Sequence, residues 1–202
     1  MRVLRLGRAT ARRYCGAGVA IAIMLVLTGC RREERAVPRP VAFPRIEIPA
    51  ERYVSADSVP MHFEINASAS TERREQDETV WLTITYPGYF PETAIYCTFT
   101  PVTSENVDEV IANRTERMAL NSGGADSEMT RLTSQGGLDC TMTVTRAGSA
   151  TPVQFIAADN GIVVSGAMYI NVDAGFAPDS IAPVVDAVSR DMLHTLKTIR
   201  HD

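Results

Sequence analysis

A sharp change from apolar to charged residues at Cys30 decides how much of the chain is left to fold. Residues 1–29 carry five arginines and no acid, and they end in a short apolar run, Val19–Leu27. A helix needs about 20 apolar residues to cross a bilayer, so this shorter run indicates a bacterial export signal. The sequence therefore predicts that residues 1–29 are cleaved and take no part in the folded protein.

The four residues Leu27-Thr28-Gly29-Cys30 resemble the bacterial lipoprotein box. A dedicated peptidase cuts such a box just before a cysteine whose sulfur has been acylated. The reaction needs a thiol at that position and small residues before it, so that the backbone fits the protease. We therefore interpret Cys30 as the lipidation site, where two or three acyl chains would anchor the mature protein to a membrane without a spanning helix.

Charge restricts the class of partner. Removal of five arginines and no acid lowers the formal net charge from −4 to −9. The mature protein is therefore acidic, which argues against nucleic acid or an anionic lipid surface as a partner, since little positive charge remains to follow phosphates.

The segment after Cys30 is rich in charge and proline. Residues 30–50 contain Arg31-Arg-Glu-Glu-Arg35 and then Pro38, Pro40, Pro44 and Pro49. Proline at this density favours extended backbone over helix or central strand. We interpret residues 30–50 as a tether between the membrane and a single globular domain that spans residues 51–202.

The periodicity of the domain predicts an α+β fold. Six strands are predicted, at residues 62–66, 80–86, 94–100, 138–145, 153–157 and 162–170, and apolar residues alternate with polar ones in 80–86 and 138–145. In 94–100, Ile95, Cys97 and Phe99 share the apolar face, and Tyr96 and Thr98 lie on the other. The last two strands are predicted to be joined by a tight turn at Asp159-Asn160-Gly161, since asparagine and glycine tolerate positive φ. A helix is predicted from a Ser104 cap to Gly123, and a second from a cap at Asp179 or Ser180, with Pro183 in its first turn, to Ile199. Residues 68–78, with their charge run, are predicted to form a solvated loop. The expected architecture is a mostly antiparallel sheet of about six strands packed with two helices, similar by analogy to the PsbP and Mog1-like sandwich.

No pattern in the sequence points to catalysis, a cofactor or a metal. None of the three histidines, His62, His194 and His201, belongs to a cluster with the spacing of metal ligands. Nucleophile elbows, phosphate-binding loops and dinucleotide-binding loops do not occur in the sequence. We therefore predict a protein that is not an enzyme and has no cofactor, with a hydrolase as a weaker alternative because two carboxylates can come from any part of a fold.

The remaining cysteines leave two alternatives open. Cys97 and Cys140 both fall on the apolar face of a predicted strand. They form a disulfide if their strands are neighbours or face one another, and otherwise they are two buried free thiols. In either case their expected role is structural.

Two short patterns resemble the Asp-Ser/Thr-aliphatic acceptor for O-glycosylation in bacteria of the Bacteroidetes. One is Asp57-Ser58-Val59 and the other is Asp179-Ser180-Ile181. The second also fits a helix cap. The sequence therefore leaves Ser58 as the candidate glycosylation site.

The order of several short motifs resembles the GldD-type gliding-motility lipoproteins of Bacteroidetes over essentially the whole mature chain. These motifs are the lipoprotein box, Val37–Pro40, Phe43–Pro49, Tyr86-Pro87, Ile95-Tyr96, Gly166–Asn171 and Asp179–Pro183. The resemblance implies a non-enzymatic envelope component needed for surface gliding and linked to the type IX secretion apparatus that delivers surface adhesins. It implies protein partners in that apparatus and no catalytic residues.

Placement in the envelope follows from the residues beside the lipidation site. Arg31-Arg32-Glu33-Glu34 has no aspartate next to Cys30, so the inner-membrane retention signal is missing. A basic residue followed by two acids also resembles the surface-export signal of Bacteroidetes lipoproteins. We therefore expect a lipid-anchored protein of the outer membrane, on the periplasmic leaflet or the cell surface. A small-ligand-binding envelope lipoprotein is the alternative function.

Overall fold

Alternating side chains build a sheet whose two faces are covered in different ways. The computed structural model describes residues 46–56, 59–146, 149–171 and 178–201. Within these ranges the strands are β1 (Tyr53–Ser55), β2 (Glu64–Asn66), β3 (Ser70–Gln76), β4 (Thr79–Tyr86), β5 (Phe90–Pro101), β6 (Ser127–Thr133), β7 (Asp139–Thr145), β8 (Val153–Ala158) and β9 (Ile162–Ile170). The helices described in them are α1 (Val107–Ser122) and α2 (Pro178–Thr198).

The main sheet consists of two meanders that meet at its centre. Its strand order is β3-β4-β5-β9-β8-β7-β6, and every neighbouring pair is antiparallel. Helix α1 connects the first meander, which ends with β5, to the second, which begins with β6 at the far edge. The second meander returns to the centre, where β9 pairs with β5. β1 and β2 form a separate two-stranded sheet.

The inner face of the main sheet, which α2 covers, carries the principal core. Strand alternation directs Leu82, Ile84, Ile95 and Phe99 to this face, each at most 1% exposed. The core also contains the apolar stripe of α2, which includes Val184, Val185, Val188, Met192 and Leu196. Burial of this stripe stabilises the helix in its position against the sheet.

Helix α1 packs on the opposite face, which we call the outer face. Val107 of α1 lies in a small buried cluster with Ile156 of β8 and Val163 of β9. Val110, Ile111 and Met118 of α1 pack against the same cluster. Because α1 covers the outer face at β8 and β9, the outer face of β3, β4 and β5 is left without a covering helix among the described residues.

The predicted α+β fold is confirmed. Both predicted helices are present, and each of the six predicted segments contains a strand. The predicted turn at Asp159 is also confirmed, since the Asp159 carboxylate accepts hydrogen bonds from the N–H groups of Gly161 at 2.8 Å and Ile162 at 3.0 Å. Helix α1 ends as predicted at Gly123, whose φ of 61° lies in the left-handed region.

The prediction of a solvated loop over residues 68–78 is wrong. Residues 70–76 form β3, an edge strand whose seven residues are all exposed. A two-residue turn joins it to β4, and both turn residues have positive φ, 49° at Asp77 and 66° at Glu78. Such turns usually contain glycine or asparagine, so the sequence lacks the usual hairpin signal here. Charges along an exposed edge protect it against pairing with other chains.

Other boundaries also differ from the prediction. β1 and β6 were not predicted, because β1 is short and β6 is a mostly exposed edge strand without strong alternation. Asn106, and not Ser104, occupies the N-cap position of α1. Its side chain accepts a hydrogen bond from the backbone N–H of Thr103 at 2.8 Å and caps no helical N–H. Helix α2 begins at Pro178, so Pro183 lies beyond its first turn.

Candidate functional site

Three large aromatic side chains lie exposed on the outer face of the sheet. Trp81 of β4 is 39% exposed, Tyr96 of β5 is 51% exposed and Tyr169 of β9 is 43% exposed. Thr83 pairs with Tyr96, and Ala94 pairs with Tyr169, so the three residues follow a diagonal across three neighbouring strands. We call Trp81, Tyr96 and Tyr169 the aromatic face.

The aromatic face has a defined geometry at its centre. The rings of Tyr96 and Tyr169 meet edge to face, with centroids 5.4 Å apart and planes inclined at 67°. This arrangement is favoured by the quadrupoles of the rings, and it holds both rings at the surface. Rigid exposed rings of this kind offer large contact areas at a small cost in conformational entropy.

Charged residues of β3 border the aromatic face on one side. Arg74 lies directly across from Trp81, and its guanidinium forms an ion pair with Glu72 at 2.9 Å. These side chains, with Thr83 and Tyr96, line an open groove of about 940 Å³. The groove lies beside β3, β4 and β5 and is open to another molecule.

A small cleft borders the aromatic face on the other side, between α1 and the sheet. Arg114, Arg117 and Asn121 of α1 line it together with Tyr96 and Tyr169. Thr98 and Ser165, which pair across β5 and β9, lie at its floor. We call this cleft, with a volume of about 200 Å³, the arginine cleft.

Gln154 holds the wall of the arginine cleft in place. Its side chain is 1% exposed on β8, and its Nε2 donates to the Met118 carbonyl of α1 at 3.2 Å. Its Oε1 accepts from Asn121 Nδ2 at 3.1 Å. Both polar ends of this buried amide are therefore satisfied by the last turns of α1, which fixes those turns against the sheet.

The two guanidinium groups of the arginine cleft are weakly compensated. Arg114 is half-buried and donates to the Thr100 hydroxyl at 3.4 Å. Burial, and then the charge of Arg117, lower the pKa of Arg114 below its ordinary value. Among the ion pairs of the described residues, none joins Arg114 or Arg117 to a carboxylate.

These features suit binding better than proton transfer. Tryptophan, tyrosine and arginine are the residue types that most often dominate the binding energy of protein interfaces. Here all three types adjoin one another on a sheet face. The site can therefore supply stacking, apolar contact and hydrogen-bond donors to a binding partner.

A second polar cluster lies on the inner side, where α2 meets the small sheet. Asp191 of α2 is 3% exposed. One carboxylate oxygen accepts from Tyr53 OH at 3.0 Å and Asn66 Nδ2 at 3.3 Å, and the other accepts from Tyr86 OH at 2.8 Å. His194 stacks on Tyr53 with ring centroids 3.6 Å apart.

The pKa values of the two tyrosines agree with a structural role for this cluster. Burial, followed by the hydrogen bond and the charge of Asp191, raises the pKa of Tyr53 to about 12. Burial, followed by the charge and the hydrogen bond of Asp191, raises the pKa of Tyr86 further. Both phenols thus stay protonated and donate to Asp191, which links β1, β2 and β4 to α2.

A second groove lies near the other end of the strands. Its volume is about 930 Å³, and its lining includes Arg73, Glu78, Phe99, Ile162 and His201. His201 pairs with the Asp159 carboxylate at 2.6 Å. The groove combines apolar and charged walls, so it offers a small ligand both kinds of contact.

The lipidation site Cys30 and the glycosylation candidate Ser58 lie outside the described residues. Cys97 and Cys140 are free, buried thiols on the inner face. Strands β9 and β8 lie between their own strands, which places them about 14 Å apart by the usual strand spacing. A disulfide requires Cα atoms within about 7 Å. A direct bridge therefore does not fit this fold, and two buried thiols are the alternative that agrees with it.

The three histidines occupy separate positions with different partners. His194 Nε2 lies 2.7 Å from a carboxylate oxygen of Glu64, and His201 pairs with Asp159. His62 forms a β-bridge with Arg200 through the backbone. No group of three or more histidine, cysteine, aspartate or glutamate side chains in the described ranges could hold a metal ion.

Sequence reasoning missed the aromatic face and the arginine cleft. Strand alternation did place Tyr96 and Thr98 on the face opposite the apolar residues. The signal that could have found the site is that Trp81, Tyr96 and Tyr169 all fall out of phase with the buried residues of their strands. Two motifs of the family resemblance, Ile95-Tyr96 and Gly166–Asn171, supply two of the three rings.

In the part of the chain that the structure describes, no helix has the length and apolar character needed to span a membrane. A comparison with curated proteins finds no significant match. A comparison with protein families finds that residues 33–201 match the gliding motility lipoprotein GldD. Since this match covers most of the chain, the protein belongs to the GldD family of gliding motility lipoproteins and is a component of gliding motility associated with the cell envelope.

Proposed function

We propose that this protein is a non-catalytic interaction component of the gliding-motility and type IX secretion machinery. Membership of the GldD family supports the connection with motility. The observation that carries the interaction role is the aromatic face, which exposes Trp81, Tyr96 and Tyr169 side by side next to two arginines. Exposed apolar groups of this size on a soluble domain mark interaction sites more often than isolated surface residues do.

The mechanism is positional. Lipid on Cys30 fixes the mature chain at a membrane, and the proline-rich tether of residues 30–50 holds the domain away from the headgroups. The domain then presents the aromatic face to protein partners. The absence of aspartate after Cys30 and the sequence Arg32-Glu33-Glu34 support placement at the outer membrane.

The test is recovery of partners by crosslinked pulldown of the native lipoprotein from envelopes. We expect the wild-type protein to recover motor or secretion-ring components, and Trp81→Ala combined with Tyr96→Ala to lose most of them. Met129→Ala is the matched control, since Met129 is 54% exposed at the far edge of the same sheet. Equal recovery by the aromatic variant and the wild type would contradict the proposal, provided that both have the same unfolding temperature.

A second candidate function is the binding of a small ligand in the groove beside His201. The observation that favours it is the volume of about 930 Å³ with apolar walls and convergent charged groups. Native mass spectrometry of protein purified from its own envelope tests it. A co-purified small molecule that is lost on Ile162→Arg substitution supports this function, and a spectrum of the unliganded protein alone counts against it.

A further inference from the structure

The arginine cleft carries positive charge that the described part of the protein leaves without a counter-ion. Arg114 and Arg117 lie one turn apart on α1, and the ion pairs of the described residues include neither. In contrast, Arg73, Arg74, Arg146 and Arg190 each pair with a carboxylate. The ion pairs in the described ranges also do not include Arg52, Arg131 or Arg200. Arg114 and Arg117 differ from these three because they line one cleft together, beside the aromatic face.

We propose that the arginine cleft receives a carboxylate side chain from an acidic segment of a protein partner, while the aromatic face contacts the apolar residues beside it. This inference rests on the proposed function and adds the chemistry of the partner. Guanidinium groups bind carboxylates through paired N–H donors, and an incoming carboxylate relieves the repulsion between Arg114 and Arg117.

The size of the cleft favours a single side chain as the occupant. A volume of about 200 Å³ corresponds to about seven water molecules at 30 Å³ each. This space suits one short acidic side chain better than a helix or a folded loop. The open groove on the other side of Tyr96 can hold the adjoining residues of the same segment in extended form.

The cleft is also preorganised for such a group. Gln154 anchors Met118 and Asn121, which follow Arg117 in the last turns of α1, so these turns do not need to move to accept a ligand. Ser165 and Thr98 at the floor add hydroxyl groups. Tyr96 lines both the cleft and the groove, which makes the two sites one continuous surface.

The test compares charge variants in the same crosslinked pulldown of the full-length lipoprotein. We expect Arg117→Gln to reduce recovery of the partner severalfold, Arg114→Gln with Arg117→Gln to reduce it about tenfold or more, and Arg117→Glu to reduce it more than Arg117→Gln. Arg131→Gln is the matched control, because Arg131 is an exposed arginine on β6 at the far edge of the sheet. Arg117 is exposed, so its variants keep the inference testable if the double variant fails to fold.

The outcomes separate this inference from the proposed function. Full recovery by the arginine variants, together with loss in the Trp81→Ala and Tyr96→Ala variant, overturns the carboxylate site and leaves the interaction role intact. Full recovery by every variant overturns both. Recovery of only a second copy of this chain also overturns the inference, because it assigns the cleft to another occupant.

Discussion

Among the glycines of the described residues, Gly136 has other backbone atoms closest to the position that a Cβ atom would take. It belongs to the 134–138 turn, which contacts the end of the chain. The N–H of Gly136 donates to the Ile199 carbonyl at 3.2 Å, and the N–H of Gln135 donates to the Lys197 carbonyl at 2.9 Å. A Cβ atom on Gly136 would lie 2.4 Å from Arg200 Cα and 2.8 Å from the Ile199 oxygen. The turn can therefore hold the carboxyl end of α2 only because this residue has no side chain.

We predict that Gly136→Ala lowers the free energy of unfolding by about 2 kcal/mol, since the added methyl group forces two backbone segments apart. Gly88→Ala is the matched control, because nothing lies within 4 Å of a Cβ atom there. Urea unfolding of both variants measures the difference. Equal midpoints for the two variants would show that the turn and the chain end are not in contact.

Two phenols and two thiols, which are half-buried or buried, predict a loss of stability at alkaline pH. The pKa is raised in the folded state to about 12 for Tyr53 and Cys97 and to about 11 for Cys140, and it is also raised for Tyr86, chiefly by burial in each case. The unfolded chain releases these protons first, at the ordinary values of 9.0 for cysteine and 10.0 for tyrosine. Stability is therefore complete below about pH 9 and falls as the pH rises through this range.

The Tyr86→Phe variant tests how much Tyr86 contributes to this loss of stability at alkaline pH. The variant removes one donor to Asp191 and should cost about 1–3 kcal/mol at neutral pH, but its stability should fall less steeply above pH 10 than that of the wild type. Urea midpoints between pH 8 and pH 11 measure both effects. A variant with the same slope as the wild type would mean that Tyr86 is not a buried phenol.

At the scale of elements, the attachment of α1 decides where the arginine cleft lies. The helix has no side-chain cap at its start and only Val107 fully buried among its residues. Its packing on β8 and β9 is therefore supplemented by Gln154, which bonds to Met118 and Asn121 near its end. One buried amide thus adds to the apolar contacts that hold the helix on the sheet.

We predict that Gln154→Leu lowers the free energy of unfolding by about 1–3 kcal/mol, because it removes the two hydrogen bonds that Gln154 forms with the Asn121 amide and the Met118 carbonyl. Amide hydrogen exchange should rise in the last two turns of α1 more than in β4 or β9. Gln76→Leu is the control, since Gln76 is exposed at the end of β3. Exchange that is unchanged in α1 would show that the helix is held by its apolar residues alone.

At the scale of the whole molecule, the folded domain and the proposed membrane anchor are separate parts of the sequence. The family match begins at residue 33, three residues after the cysteine that we propose as the lipidated one. The core of the domain draws on residues from Ala56 to Ile199. Attachment and folding are therefore expected to fail independently of one another.

Metabolic labelling with an alkyne fatty acid tests the anchor. We predict that the wild-type protein and Cys15→Ala carry the label, since Cys15 lies in the segment that we expect to be removed, and that Cys30→Ala does not. Cys30→Ala should nevertheless keep the unfolding temperature of the wild type. Label that persists in Cys30→Ala would exclude Cys30 as the acylated residue.

The sequence by itself determined which residues become buried in most strands and in α2. Period-two alternation placed Leu82, Ile84 and Phe99 on one face, and the stripe of α2 placed Val188 and Met192 against it, because both signals are local properties of the chain. It also indicated the family through the order of short motifs. The strand β3 was not predicted from the sequence, because an exposed edge strand has no buried face to impose an alternation of apolar residues. The Asp77-Glu78 turn that follows it also lacks glycine.

Only the tertiary structure decided which residues meet. The site combines residues from three strands and one helix, namely Trp81, Tyr96, Tyr169 and Arg117. Their proximity depends on the pairing of β9 with β5 and on the path of α1. The separation of Cys97 from Cys140 follows from the same strand order, which inserts β9 and β8 between them. Strand order and helix placement arise from contacts far apart in sequence, so local periodicity predicts the elements and their buried faces but does not predict the site that they form together.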